Sequence, residues 1–146
     1  MMADGACKVI NEAGAGVDED MLCRCATKTL SQNGGSGKSL SIVVAGEDRM
    51  QKLNKLHYGQ DAPTDVLSFS NIEEGGYLGE VVICPSYVER NTAREKLNWE
   101  LCHIAVHGTF HLLGIHHEHD EKAHQKIHEQ EIKIIQKVLK LTKLIS

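Results

Sequence analysis

Histidines recur at helical spacing through an apolar stretch near the end of this chain: His107-Gly108-Thr109-Phe110-His111-Leu112-Leu113-Gly114-Ile115-His116-His117. On a helix, residues four apart share a face, so the imidazoles of His107 and His111 can reach a single ion. Gly114 is suited to end that helix, because glycine takes the left-handed conformation at little steric cost. The chain then turns back and brings His117 towards the same ion. Three imidazoles leave a fourth tetrahedral position for water, a composition that marks a catalytic zinc site more than a structural one. Ile104, Ala105, Val106, Phe110, Leu112 and Leu113 make the segment mostly buried, where unpaired imidazoles are unwelcome. A histidine cluster with a purely structural role is the competing reading. The chain has nine histidines, and a pair such as His124 and His128 arises by chance on a solvated face. His103, one turn before His107, is either a fourth ligand or a core histidine.

At 146 residues the chain fits a single domain, 1–146, able to bury about two-thirds of its unfolded surface. A hydrophobic content of 41% and a charged content of 25% are ordinary for a soluble globular protein. Met1 to Ala15 contains no apolar run suited to a signal peptide or a membrane span, so no membrane partner is expected. The five cysteines are scattered and odd in number, which reads as reduced thiols in a cytoplasmic protein. Cys23 and Cys25 lack the second pair that would complete a zinc knuckle, and read as helix-packing residues.

The formal charge of −4 and pI of about 6.1 exclude a protein that holds nucleic acid by bulk electrostatics. Any RNA contact must come from a local basic groove or from the metal. Arg90, Arg94 and Lys96 gather just before the histidine helix, and read as a solvated helix face.

Local signals predict the elements in order. A first strand covers residues 6–10, and Asp18 caps a helix running to about Leu30. Ser39–Ala45 is β-branched and reads as a strand. Glu47–Leu56 has Met50, Leu53 and Leu56 at helical spacing, and a loop through Gly59 and Pro63 follows. Asp65–Phe69 and Tyr77–Cys84 are strands joined across the Asn71–Gly76 turn. Pro85 opens a helix in which Ser86 and Glu89 resemble a capping box. Asn98 caps the histidine helix, Trp99–Leu113. A last helix, Glu121–Leu141, carries an apolar stripe of Ile127, Ile134, Val138 and Leu141. The expected fold is α+β: a small mixed β-sheet of about four strands packed against several helices, with a metal site on a central helix.

These motifs together resemble the YbeY family of metal-dependent endoribonucleases and ribosomal RNA maturation factors. The family pattern His-Gly-x-Leu-His-Leu-x-Gly-Tyr-Asp-His is matched by His107, Gly108, Phe110 for leucine, His111, Leu112, Gly114, Ile115 for tyrosine, His116 for aspartate, and His117. A second family stretch stands intact as Pro63-Thr64-Asp65-Val66-Leu67-Ser68-Phe69, and a third appears as Leu78-Gly79-Glu80-Val81-Val82-Ile83. Order and spacing agree from about residue 40 to 135. Two departures bear on chemistry. The family's Tyr-Arg-Gly is replaced by His57-Tyr58-Gly59, so Tyr58 stands where an arginine is linked with ribonuclease activity. Tyrosine offers no permanent positive charge to a phosphate, whereas arginine contacts one bidentately. Arg49, Arg90 and Arg94 are the candidates to replace it in space. His116 in place of aspartate removes a carboxylate and competes with His117 for the metal, although the register favours His117.

The resemblance implies a zinc-dependent, single-strand-specific endoribonuclease acting in 16S ribosomal RNA 3′-end maturation and ribosome quality control. His107, His111 and His117 would be both ligands and catalytic residues, holding one zinc ion per chain; nickel or another late divalent ion also suits such donors. Asp65 joins them as a catalytic candidate, accepting a hydrogen bond from a ligand histidine or, equally, capping the local turn. Ser68 packs or hydrogen-bonds in the sheet, since no base is paired with it. Glu118 and Asp120 are either helpers beside the third ligand or solvated charges. The spacing is also that of the metzincin proteases, but those enzymes carry a glutamate base where this chain has Gly108. Water activation must then rest on the metal or on another residue. The expected partners are ribosomal RNA, small-subunit ribosomal proteins and assembly factors. The alternatives are a non-catalytic ribosome-assembly factor with a structural metal, and a metal-dependent hydrolase of another substrate.

Overall fold

A computed structural model describes residues 6–71, 75–115 and 120–145. Four strands form one sheet in the order β1-β2-β4-β3. β1 (Cys7–Asn11), β2 (Ser39–Val44) and β4 (Tyr77–Ile83) run parallel, while β3 (Val66–Ser70) pairs antiparallel with β4 at the edge. β2 is central and buried along nearly its whole length, as its run Leu40-Ser41-Ile42-Val43-Val44 requires of a strand covered on both faces. The expected mixed α+β sheet of four strands is the one found.

Two cores sandwich this sheet. On one face Leu40, Ile42, Val44, Val81 and Ile83 pack against α1 (Glu19–Gln32), α4 (Leu97–Leu112) and α5 (Glu121–Ile145). On the other, Val43, Val82, Leu67 and Phe69 meet Met50 and Leu53 of α2 (Glu47–Tyr58) and Tyr87 of α3 (Pro85–Arg90). Phe110, 1% exposed, anchors α4, and burying a side chain of this kind contributes about 1.5–3 kcal/mol. Among the described residues no helix is long and apolar enough to cross a membrane.

Several local expectations hold. Asp18 caps α1, its carboxylate accepting from the Met21 N–H at 3.0 Å. Cys23 and Cys25 are buried in the core, as packing residues are, and all five thiols are free. Others need correction. α4 starts at Leu97 after a single 3₁₀ turn, Arg94–Lys96, so Asn98 lies inside the helix and no side chain caps it. Cys84 occupies the cap position of α3 and no side-chain bond forms there, so Ser86 and Glu89 make no capping box. α5 extends past Leu141, which is 41% exposed and so leaves the buried stripe.

One extension matters for function. α2 runs to Tyr58 and is closed by Gly59 at φ +71°, the conformation a helix-ending glycine adopts at little cost. Tyr58 therefore sits on the last turn of a helix rather than in a loop.

Candidate active site

α4 lies directly on the sheet because of Gly108. A β-carbon there would stand 2.6 Å from Val81 Cγ1 and 3.3 Å from Ser68 Oγ, so glycine is what permits the approach. Seated this way, α4 raises His107 and His111 over edge strand β3. Their Nε2 atoms stand 2.9 Å apart. Two nitrogens bound to one tetrahedral zinc at ordinary lengths are separated by roughly 3.3 Å, so the pair converges on one point at nearly the spacing a shared ion needs. No third histidine, cysteine, aspartate or glutamate joins them among the described residues.

The turn after α4 is built as the sequence implies. Gly114 adopts φ +77°, its N–H donates to the His111 carbonyl, and the Ile115 N–H donates to the Phe110 carbonyl, both at 3.0 Å. This pair of bonds is the Schellman arrangement. Six residues on, Asp120 caps α5, its carboxylate accepting from the Lys122 and Ala123 N–H groups at 3.0 and 3.2 Å. Asp120 is thus a local cap. His116, His117, Glu118 and His119 fall between these two fixed points and lie outside the described residues.

A groove of about 340 Å³ opens beside the histidine pair, lined by Tyr58, Val66, Ser68, His107, Gly108 and His111. Tyr58, 54% exposed, enters from the far side of β3, and its hydroxyl donates to the Ser68 carbonyl at 3.3 Å. The Ser68 hydroxyl donates to the Gly108 carbonyl at 3.5 Å, tying strand to helix. Among the described residues the lining has no lysine or arginine. Arg49 pairs with Glu12 at 3.5 Å and Arg90 with Glu47 at 2.6 Å; like Arg94 in its 3₁₀ turn, they leave Tyr58 without a cationic substitute there. A larger groove of about 600 Å³ between Trp99, Asn98 and Leu139 lies at the opposite end of α4.

Asp65 stands at the entrance of β3. Its carboxylate accepts from the Thr64 hydroxyl at 3.2 Å and its carbonyl from the Cys84 N–H at 2.9 Å. The carboxylate found against His107 is a different one, Glu131 of α5. Its side chain is 5% exposed, with Oε2 3.5 Å from His107 Nδ1 and Oε1 3.7 Å from His103 Nε2 and 3.6 Å from His128 Nδ1. Burial pushes this carboxyl up, but His103 and His107 together outweigh burial and hold it at about 2. His103 is raised in turn, first by Glu131 and against its own burial, with Glu100 and Asp65 adding to the effect. His103 therefore faces Glu131, and its ring lies tilted at 42° to that of Trp99, with centroids 5.1 Å apart.

Sequence reasoning missed Glu131, although a signal was present. Ile127, Glu131, Ile134 and Val138 follow one helical stripe, and a glutamate on that stripe asks for a partner.

The chain is similar to known proteins in sequence and in fold. A family model described as Endoribonuclease YbeY matches residues 9–139. An endoribonuclease YbeY of Thermotoga maritima is 39% identical over 102 residues, 68% of this chain and 67% of that protein. One from Aquifex aeolicus is 38% identical over 130 residues, 85% of this chain and 86% of that protein. The solution structure of TM1509 from Thermotoga maritima superposes with a TM-score of 0.63 at 29% identity, covering 94% of this chain and 91% of that one.

Proposed function

The chain belongs to the endoribonuclease YbeY family, and from that premise we propose a zinc-dependent enzyme that cleaves single-stranded ribosomal RNA. Family membership makes it a nuclease, hydrolysing phosphodiester bonds. The observation that carries the metal assignment is the 2.9 Å convergence of His107 and His111 Nε2 atoms above an open groove. The donor chemistry fits: two imidazoles on one helical face, with a buried carboxylate behind one of them, suit a late divalent ion. His107 and His111 would hold one zinc ion per chain together with His117.

When bound, the ion supplies Lewis acidity, which stabilises charge developing on a phosphoryl oxygen and acidifies water. The protein's own residues do the rest. Val66 and Gly108 wall the groove, and Tyr58 closes its rim with a hydroxyl already bonded to β3. The missing position-108 carboxylate leaves no helix-borne base of the protease kind, which favours phosphodiester over peptide chemistry. Asp65, at the mouth of β3, is proposed as a further polar contributor near the groove.

With a net charge of −4, affinity for ribosomal RNA must come from this site and from neighbouring small-subunit proteins or assembly factors rather than from a basic surface. Maturation of the 16S 3′ end and ribosome quality control are the proposed processes. Five free cysteines suit the reducing cytoplasm.

Cleavage of a single-stranded ribosomal RNA fragment by zinc-loaded protein, beside His111→Ala prepared identically, tests the proposal. Loss of cleavage in the variant is expected. Equal cleavage by both proteins would contradict it.

A further inference from the structure

Building on the zinc assignment above, we propose that Glu131 is a positioning residue for the metal site: it holds His107 with Nδ1 turned to the carboxylate and Nε2 turned to the ion. Ile127, Ile134 and Val138 define the face of α5 that packs into the core, and position 131 lies on that face at helical spacing. Glu131 is nevertheless ionisable, buried to 3% exposure, and its Oε2 has no hydrogen-bond partner among the described residues. Burying an isolated carboxylate is strongly unfavourable, so a hydrophobic residue would be the default here.

The arrangement around the carboxylate is specific. Its two oxygens are divided between tasks. Oε1 is braced by His103 from α4 and by His128 one turn back on α5, at 3.7 and 3.6 Å. Oε2 is left facing His107 Nδ1 at 3.5 Å. The other nitrogen of that ring, Nε2, is the one 2.9 Å from His111 Nε2. A neutral imidazole carries one N–H and one lone pair. An anionic acceptor beside Nδ1 keeps the proton on that side and leaves the lone pair on Nε2, the atom aimed at the ion. The same contact fixes the ring's rotation and raises its basicity as a ligand. His103 and His128 thereby act through Glu131, not on the metal.

A merely structural role, an ion-pair cluster joining α4 to α5, would change folding stability without changing the bound metal. The test separates the two. Full-length protein is stripped of metal, and zinc affinity is read by competition with a chromophoric chelator. The cobalt(II) absorption spectrum and the melting temperature of the metal-free protein are recorded alongside. Wild type, Glu131→Ala, Glu131→Gln and, as a benchmark, His111→Ala are compared. Glu131→Ala is expected to bind zinc about 10–100-fold more weakly, with an altered cobalt spectrum. Glu131→Gln, which keeps an acceptor of the same size but no charge, is expected between the two and reads the charge even if the alanine variant melts early. Wild-type affinity and spectrum in both Glu131 variants, with binding lost in His111→Ala, would overturn the role of Glu131 and leave the zinc site standing. Failure of wild type itself to bind zinc would overturn the site assignment beneath it.

Discussion

Gly108 of α4 sits so close to Val81 of β4 that a β-carbon there would stand 2.6 Å from Cγ1. Real side chains do not approach this closely, so the helix could not rest on the sheet with any other residue at 108. The same contact sets the height of His107 and His111 above β3, because they flank the glycine on the same helix. It also explains why the proteases' glutamate base has no counterpart: at 108 it would point into a buried valine, not into the groove.

Gly108→Ala should therefore destabilise the protein. Alanine gains up to about 1 kcal/mol of helix propensity over glycine, but overpacking against a buried β-branched neighbour costs about 1–3 kcal/mol. A lowered urea midpoint with an unchanged slope is the expected result. A raised midpoint would mean that α4 can lift from β4 freely.

Gly114→Ala should weaken both stability and zinc affinity. With φ at +77°, a β-carbon costs about 1 kcal/mol. Distorting this turn also loosens the end of α4, where the Gly114 N–H holds the His111 carbonyl at 3.0 Å. Chelator competition on the folded variant reads the second effect separately from the first.

Tyr58→Arg should raise ribonuclease activity. Tyr58 lines the groove beside His107 and His111, at the position where the family pattern has arginine. A guanidinium contact to a phosphate adds a charge-assisted bond, and a gain of about 1.4 kcal/mol at the transition state is roughly tenfold in kcat/KM. Steady-state cleavage of the same RNA fragment by both proteins checks it. Unchanged or slower turnover would show that Tyr58 serves the groove in its own right.

The metal-free protein should show a defined pH window. Glu131 is held at about 2, below its ordinary 4.5, so its contribution is full above pH 4.5 and is lost as pH falls towards 2. His103 is raised above 6.5, so its contribution is full below pH 6.5 and is lost as pH climbs through the raised value. Both are charged between those limits. The melting-temperature gap between metal-free wild type and His103→Asn should thus be wider at pH near 6 than at pH near 9. A gap independent of pH would place His103 outside this pairing.

Much of this was legible in the residues. The His107–His111 spacing, the Gly114 stop, the Asp18 cap and the β-branched run of β2 are local signals, and the fold obeys each of them. Helix ends were less legible. α4 begins early at Leu97, directly after the 3₁₀ turn, so Asn98 falls inside the helix, and α2 carries Tyr58 two residues beyond its apolar repeat. Glu131 was out of reach for a stronger reason. Its three partners come from two helices, and His107 and Glu131 are brought together by the antiparallel pairing of α4 and α5, which no local pattern encodes. What the sequence offered was a single charged residue on an apolar stripe.

The most direct test of zinc dependence is RNA cleavage by protein treated with a strong chelator, dialysed, and then given zinc back in equimolar amount. Cleavage should disappear on chelation and return with one zinc per chain, in wild type and not in His111→Ala. Cleavage that continues undiminished in the metal-free protein would contradict it.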